Sequence, residues 1–322
     1  MNFCTYFDSH YLVRGLAMYE SLKKVCKNFR LFVFAFDQYT YEFLKKKKLK
    51  NIILIKLEDF EDAALKRVKK ERSKVEYMWT CTPSTILYLF NKYKMSSATY
   101  LDADIYFYRN PRILLQEAKN DSVLITEHRF LEKYDHSHKY GIYNVQFLFF
   151  RNNSYGIKVL KDWRRSCIKW CFNDQSSGLN GDQKYLDEWP KKFEQIKILS
   201  NLGGGLGPWN IQRYNVIKHN KNIKIQEINT KKIFSRIFFH FSGIKFLSKN
   251  QVFLGDFKLS KSVVNNFYVP YVKHLIKIRN SLFKNAKFGN KDISKISYNF
   301  NLYYKIVTLF KIYIIKKNIY NF

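Results

Sequence analysis

The sharpest chemical signature in this 322-residue chain is Tyr100-Leu101-Asp102-Ala103-Asp104. Two carboxylates one residue apart at the end of a strand can both turn toward one hard divalent cation. Oxygen ligands suit Mg2+ or Mn2+, ions that complete their shells with substrate phosphates. The tripeptide alone is a weak signal, because Asp-x-Asp also falls in ordinary turns. Its position decides: it ends an aromatic strand, Ala98–Leu101, that closes a series of alternating strand and helix patterns. A second group, His240, stands on a late apolar strand, Ile237–Phe241. An imidazole there is by default a packed core residue and needs a further reason to count as a ligand. The Gly203–Gly207 loop lacks the Gly-Lys-Ser/Thr ending of a phosphate-binding loop. It reads as a turn or as a close backbone approach to substrate.

These groups need a scaffold, and the pattern supplies one. Asn2–Phe7 is a short strand, and Tyr11–Lys27 carries Leu12, Leu16, Tyr19 and Leu22 at helical spacing. Leu31–Phe36 is a continuous apolar run, as in a strand buried on both faces. Tyr39–Leu49 reads as a helix, Ile52–Ile55 as a third buried strand and Pro83–Tyr93 as another helix. Alternation of this kind implies right-handed crossovers and a mainly parallel sheet, which binds ligands beyond the carboxyl ends of its strands. Further on, Ser122–Thr126 and Val145–Phe150 look like strands and Tyr155–Phe172 like a helix, with loops at Gly178–Gly181 and Leu202–Pro208.

The chain holds 57 Lys+Arg against 26 Asp+Glu, a net charge of +31, so its surface must attract polyanions. Part of that excess fits mutational bias, since Lys, Asn, Ile, Phe and Tyr are all abundant. Hydrophobic residues make up 46%, which excludes a disordered chain and allows a large core. Five cysteines show neither CxxC nor zinc-finger spacing and read as small core residues in a reducing compartment. No signal peptide opens the sequence, and no apolar run approaches the roughly 20 residues that span a bilayer. The nearest, Ile306–Ile315, is interrupted by Lys311. From Asp256 to Phe322 there are 13 basic and two acidic residues. Pro270 is suited to open a helix there. Val272, Leu275, Ile276, Ile278, Leu282, Phe283 and Ala286 share one arc of it; Lys273, Lys277, Asn280, Lys284 and Lys287 share the other, with Arg279 the exception. Such a helix either lies on an anionic bilayer or packs on the main domain with its lysines solvated.

Seven segments, in order, resemble a bacterial family of nucleotide-sugar glycosyltransferases related to glycosyltransferase family 8. They are Phe3–Leu22, Val75–Pro83, Tyr100–Phe107, Tyr143-Asn144-Val145, Gly181–Pro190, Gly203–Asn210 and His240-Phe241-Ser242-Gly243. Residues 256–322 lie outside the resemblance. It implies an α/β chain of the glycosyltransferase A type, a Rossmann-like fold, with a basic C-terminal helical extension. Residues 1–255 would be the catalytic domain, 1–110 its nucleotide-binding half and 111–255 its acceptor half. Residues 256–322 would be a basic aromatic extension able to associate with a membrane.

The same resemblance assigns roles. Asp102, Asp104 and His240 would hold Mn2+ or Mg2+, with Asp102 also near the ribose. Lys245 would meet the diphosphate, although it stands one residue closer to the histidine than the family's lysine does. The Thr5 backbone and Asp8 would contact the base, and Tyr11 would stack on it. Asp182 and Gln183 would lie beside the anomeric carbon and the acceptor, and Asn144 would contact sugar. Gln146 departs from the small residue that usually follows Tyr-Asn-Val, a change expected to narrow the site. The implied activity moves a sugar from a nucleotide-sugar donor, expected to be UDP-linked, to a saccharide or lipid-linked saccharide. The expected setting is lipopolysaccharide or capsule synthesis, in the cytoplasm or on the inner face of its membrane, with the anomeric configuration retained. Nucleic acid is not expected as a partner.

Three rival classes remain to be weighed. A phosphatase of the haloacid dehalogenase type places its acid pair after the first strand, with Thr or Val where Tyr106 stands here. A sugar-phosphate nucleotidyltransferase carries an N-terminal glycine-rich loop with Arg and Lys, which Met1–Lys24 lacks. An RNA- or membrane-binding protein on a degenerate transferase scaffold would use the charge and the 24 Tyr and 29 Phe, but those aromatics follow core patterns.

Overall fold

The apolar run Leu31–Phe36 falls in a buried inner strand of a sheet, as expected. Ile52–Ile55, also expected to be buried, instead forms the edge strand, where one side lacks a neighbour and only Ile55 is buried. The computed structural model describes residues 1–174, 178–219, 222–248, 251–283 and 318–322. Its first strands are β1 (Asn2–Phe7), β2 (Arg30–Ala35), β3 (Ile52–Lys56), β4 (Ser97–Leu101) and the short β5 (Ile105–Phe107). β6 (Val123–Glu127), β7 (Tyr143–Arg151) and β8 (Ile196–Ile198) complete a seven-stranded sheet of order β3-β2-β1-β4-β7-β6-β8, from which β5 stands apart. β1 runs parallel to β2 and β4, so the turns after Phe7 and after Leu101 open on the same edge. β7 runs antiparallel between β4 and β6.

One face of the sheet presents Phe3, Leu31 and Val33 to a cluster that includes Leu12 and Leu16 of the first helix, Leu12–Val25. The other presents Cys4, Phe32 and Phe34 to Ile86, Leu89, Leu160 and Trp163, from helices Lys74–Tyr93 and Ser154–Lys169. All five cysteines are buried free thiols. Strands β9 (Tyr214–His219), β10 (Asn222–Glu227) and β11 (Ile233–Ser235) form an antiparallel meander with no counterpart in the sequence expectations. β12 (Phe238–His240) then returns to pair with β5.

The helix expected from Pro83 instead begins nine residues earlier, at Lys74. Its start is set by a capping box, in which Ser73 and Glu76 each accept the other's backbone N–H. Pro83 sits in its interior, where it cannot donate to the carbonyl of Trp79. The Thr82 hydroxyl fills that gap, donating to the Trp79 carbonyl at 3.0 Å.

The basic amphipathic helix spans Val269–Phe283 and lies on the protein. Tyr271, Val272, Leu275, Ile278 and Leu282 are buried in the cluster that holds the first helix, while Lys273 and Lys277 face solvent. Its apolar arc is therefore covered by protein, not free for a bilayer. His274 fixes the register, with Nε2 2.7 Å from Glu20 Oε2 and Nδ1 3.2 Å from the Tyr106 hydroxyl. Arg279, the exception on the apolar arc, lies over the Phe246 ring at 4.8 Å and donates to the Ser248 carbonyl. β13 (Lys245–Phe246) and β14 (Gln251–Phe253) pair, and β15 (Ile319–Asn321) adds to β14. The continuation through Lys284, Ala286 and Lys287, and the run Ile306–Ile315, lie outside the described residues. Leu275→Ala should lower global stability by about 2–5 kcal/mol in urea titration, since it opens a cavity in the shared core. A peripheral helix would leave the midpoint unmoved.

Candidate active site

A turn through Ala103 and Asp104 links β4 to β5. The β5–β12 register sets His240 opposite Ile105, and the Phe241 amide donates to the Asp104 carbonyl at 3.0 Å. A strand from far downstream in the chain is thus pinned so that its imidazole meets the acid pair. His240 Nε2 lies 2.9 Å from Asp104 Oδ1 and 3.8 Å from Asp102 Oδ2. One ligand atom from each of the three residues falls within 4.8 Å of the others. Asp102 is held further by the Tyr100 hydroxyl, which donates to Oδ1 at 2.9 Å. Two carboxylates and an imidazole at this spacing form a donor set that fits Mn2+ or Mg2+.

Charge keeps the three groups in tension. Burial pushes the Asp104 carboxyl up, but the charge and hydrogen bond of His240, with Arg14 beyond, hold it below the usual carboxylate range. Burial raises Asp102; His240 opposes this and the neighbouring Asp104 adds to it. Burial, the largest single influence, would lower His240, but the charge and hydrogen bond of Asp104 and the charge of Asp102 together outweigh it and raise it. Negative charge in this recess needs a positive partner.

The edge opened by β1 faces the same recess. Asp8 is buried; its Oδ1 accepts the amides of His10 and Tyr11, and its Oδ2 takes the Lys74 ammonium at 2.5 Å. Tyr11 is 41% exposed, with the Arg14 guanidinium 4.7 Å over its ring. Thr5 lies fully buried inside β1 opposite Val33. Lys245 is half-buried on β13 and makes no ion pair with a described residue. The neighbouring Ile244 carbonyl accepts from Arg14 at 2.7 Å.

On the far side, Asp182 is 3% exposed and its Oδ2 has no hydrogen-bond partner among the described residues. Burial pushes this carboxyl up to about 7; the Thr82 side chain opposes the shift and the charge of Asp102 adds to it. Gln183 follows, half-buried. Asn144 donates from Nδ2 to His128 Nε2 at 2.8 Å and accepts the Gln146 amide at 2.8 Å. Burial lowers His128 to about 3, so it is neutral and its Nε2 can accept.

The glycine loop packs against this floor. Gly205 has φ +82°, and a Cβ there would stand 2.5 Å from Thr126. The His240 amide donates to the Leu206 carbonyl at 2.8 Å, and the Trp209 ring meets His240 edge-on at 5.3 Å. Its glycines therefore serve close packing against the strand that carries His240.

The structure thus brings Asp102, Asp104 and His240 into contact and ranges Asp8, Tyr11, Asn144 and Asp182 around them, with Gln183 next to Asp182 in the chain. Thr5 and Lys245 make no side-chain hydrogen bond or ion pair with the three. Sequence reasoning missed Arg14, Lys74 and His128, and gave Gln146 only a narrowing of the site. A buried arginine on an otherwise apolar helix arc, and a glutamine inside the apolar strand Val145–Phe150, were the signals available.

An acid pair at the carboxyl edge of a parallel-rich sheet, met by an imidazole from a late strand, places the fold in the glycosyltransferase A class. The chain belongs to the nucleotide-diphospho-sugar transferase family, matched over residues 27–189, and is a glycosyltransferase. It is 26% identical over 283 residues to the uncharacterized protein YfnD of Bacillus subtilis (strain 168), covering 85% of this chain and 88% of that one. It is 27% identical over 258 residues to the uncharacterized protein YfnF of the same organism, covering 78% and 84%. The apo structure of the bifunctional glycosyltransferase WbbM superposes with a TM-score of 0.51 at 12% identity, over 87% of this chain and 51% of that one. No helix among the described residues is long and apolar enough to cross a membrane.

Proposed function

We propose that this glycosyltransferase transfers a sugar from a UDP-linked donor to a saccharide or lipid-linked saccharide of a bacterial surface glycan, with a divalent cation and with retention of the anomeric configuration. The observation that carries this reading is the convergence of Asp102, Asp104 and His240. These three residues would hold Mn2+ or Mg2+, which as a Lewis acid lowers the cost of the charge that develops on the departing nucleoside diphosphate.

The chain's own groups do the rest. Tyr11 offers a ring for the base, and Asp8 with Lys74 an acceptor and a donor for its edge. Gln183 stabilises positive charge on the sugar carbon, and Asp182 orients the acceptor hydroxyl and takes its proton. Asn144 fixes sugar hydroxyls from the strand that also carries Gln146. In this division residues 1–110 bind nucleotide and 111–255 the acceptor. With the apolar arc of Val269–Phe283 covered, attraction to an anionic membrane carrying the acceptor rests on the +31 charge.

A panel of sugar nucleotides, with and without Mn2+, tests the reading by thermal shift, because a bound donor stabilises only the native state. The midpoint should rise for the UDP-linked members and only with the cation present. No shift with any member, or equal shifts in excess chelator, would refute it.

A further inference from the structure

Gln146 is the polar residue that reaches both halves of the cation cluster. It lies on β7, one position beyond the Leu101–Phe147 pair of the β4–β7 ladder, and is fully buried. Its carbonyl accepts the Asp102 amide at 3.1 Å, and its own amide donates to Asn144 Oδ1 at 2.8 Å. Its side-chain Oε1 stands 3.0 Å from His240 Nδ1. The backbone of this residue therefore holds the first acid, and the side chain holds the imidazole.

An amide oxygen can only accept, so it keeps a proton on Nδ1. That leaves Nε2 as the nitrogen that can give up its proton, and Nε2 is the one that faces Asp104 and Asp102. The other end of the amide gains nothing from this placement: Gln146 Nε2 is buried without a partner among the described residues. An aliphatic residue of that size would avoid the burden. A polar side chain held at such a disadvantage beside a site suggests a role there rather than in the fold.

We propose that Gln146 is a positioning residue that locks the His240 ring with Nε2 toward the carboxylates and thereby sets the affinity of the site for a divalent cation. This inference rests on the cation reading above and adds a residue that touches no substrate. Partners of this kind on a ligating histidine are worth roughly 10–100-fold in metal affinity. Because the carbonyl of residue 146 holds Asp102 whatever the side chain, substitution leaves the acid strand in place.

The test measures Mn2+ binding to the full chain by electron paramagnetic resonance for the wild type, Gln146→Leu and Gln146→Glu, alongside their melting temperatures. Gln146→Leu should bind Mn2+ roughly 10–100-fold more weakly while melting close to the wild type. Gln146→Glu keeps an acceptor for Nδ1 and should recover most of the affinity. On the wild type, 15N-histidine spectra with Cd2+ as a diamagnetic probe should show Nδ1 protonated and Nε2 bound to the ion. Wild-type affinity in Gln146→Leu, or Cd2+ on Nδ1, overturns the role of Gln146 while leaving the cation site standing. A wild-type protein that binds neither ion overturns both. Should Gln146→Leu not fold, the nitrogen that binds Cd2+ in the wild type decides.

Discussion

Asp104→Asn should cut sugar transfer and donor hydrolysis at least roughly a thousandfold while leaving the protein folded. The estimate is the several kcal/mol that a cation contributes as a Lewis acid at a departing phosphate, at 1.36 kcal/mol per factor of ten. Asp104 is the acid nearest the imidazole, 2.9 Å from His240 Nε2, and is held ionised by it. The Asn amide keeps an oxygen for that hydrogen bond, so β5 and β12 stay paired. It loses the charge that a hard cation requires. The melting temperature should fall somewhat at neutral pH, because a carboxyl held below its usual range stabilises the fold while ionised and its ion pairing with His240 is lost. Asp102→Asn should lose activity alike, without that loss of stability, because burial already raises the Asp102 carboxyl. Steady-state transfer, donor hydrolysis and melting temperature, measured together, check both. Full activity in either variant, or in excess chelator, would remove the cation from the mechanism.

Asp102 and Asp104 were legible because their signal is local: an apolar strand, then two acids, at the edge where parallel sheets bind ligands. The first three strands were legible for the same reason, since runs such as Leu31–Phe36 carry their own period. His240 was found through its motif. Nothing in the spacing told that β12 returns to β5, since pairing between strands far apart in the chain leaves no periodic trace. The start of the long helix was hidden because Lys74, Glu76 and Thr80 break its apolar pattern, and Pro83 read as a beginning. The wheel over residues 272–282 gave the right apolar arc but could not say what covers it. Gln146 and His128 act through contacts made only when β7, β12 and the loop after β6 come together.

These cases share one feature. A motif fixes which side chains can do chemistry, whereas the nonlocal contacts fix their charge state and the atom each presents. Asp8 illustrates the difference. The sequence offers a free carboxylate for a base, but in the fold its Oδ1 is taken by two amides and its Oδ2 by Lys74. What meets a nucleotide is a carboxylate and an ammonium side by side. The reading of that subsite therefore has to include Lys74.

Asp182→Asn should make the cation-free protein more stable, by an amount that grows between about pH 4 and pH 7, while transfer falls roughly 10²–10⁴-fold, the range for loss of a general base. The folded-state carboxyl lies at about 7, against about 3.9 in an unfolded chain, so the folded protein binds the extra proton over that interval. The sign follows. The stabilising contribution of the protonated group is fully present below about pH 4 and is lost as pH rises through 7. At 1.36 kcal/mol per unit the wild type loses up to about 4 kcal/mol there, and a variant that cannot ionise loses none of it. Urea titrations of both proteins at pH 4, 6 and 8 should diverge accordingly; parallel curves would show that the buried Oδ2 finds a partner. The same ionisation serves catalysis, since only the carboxylate accepts a proton from the acceptor hydroxyl. Activity of the wild type should therefore fall on the acid side as one proton is bound. With a cation between Asp102 and Asp104, the negative field of Asp102 on Asp182 is cancelled, so this acid limb should lie below pH 7. An acid whose burial destabilises the fold and whose ionised form is needed for turnover belongs to a site in which stability has yielded to function.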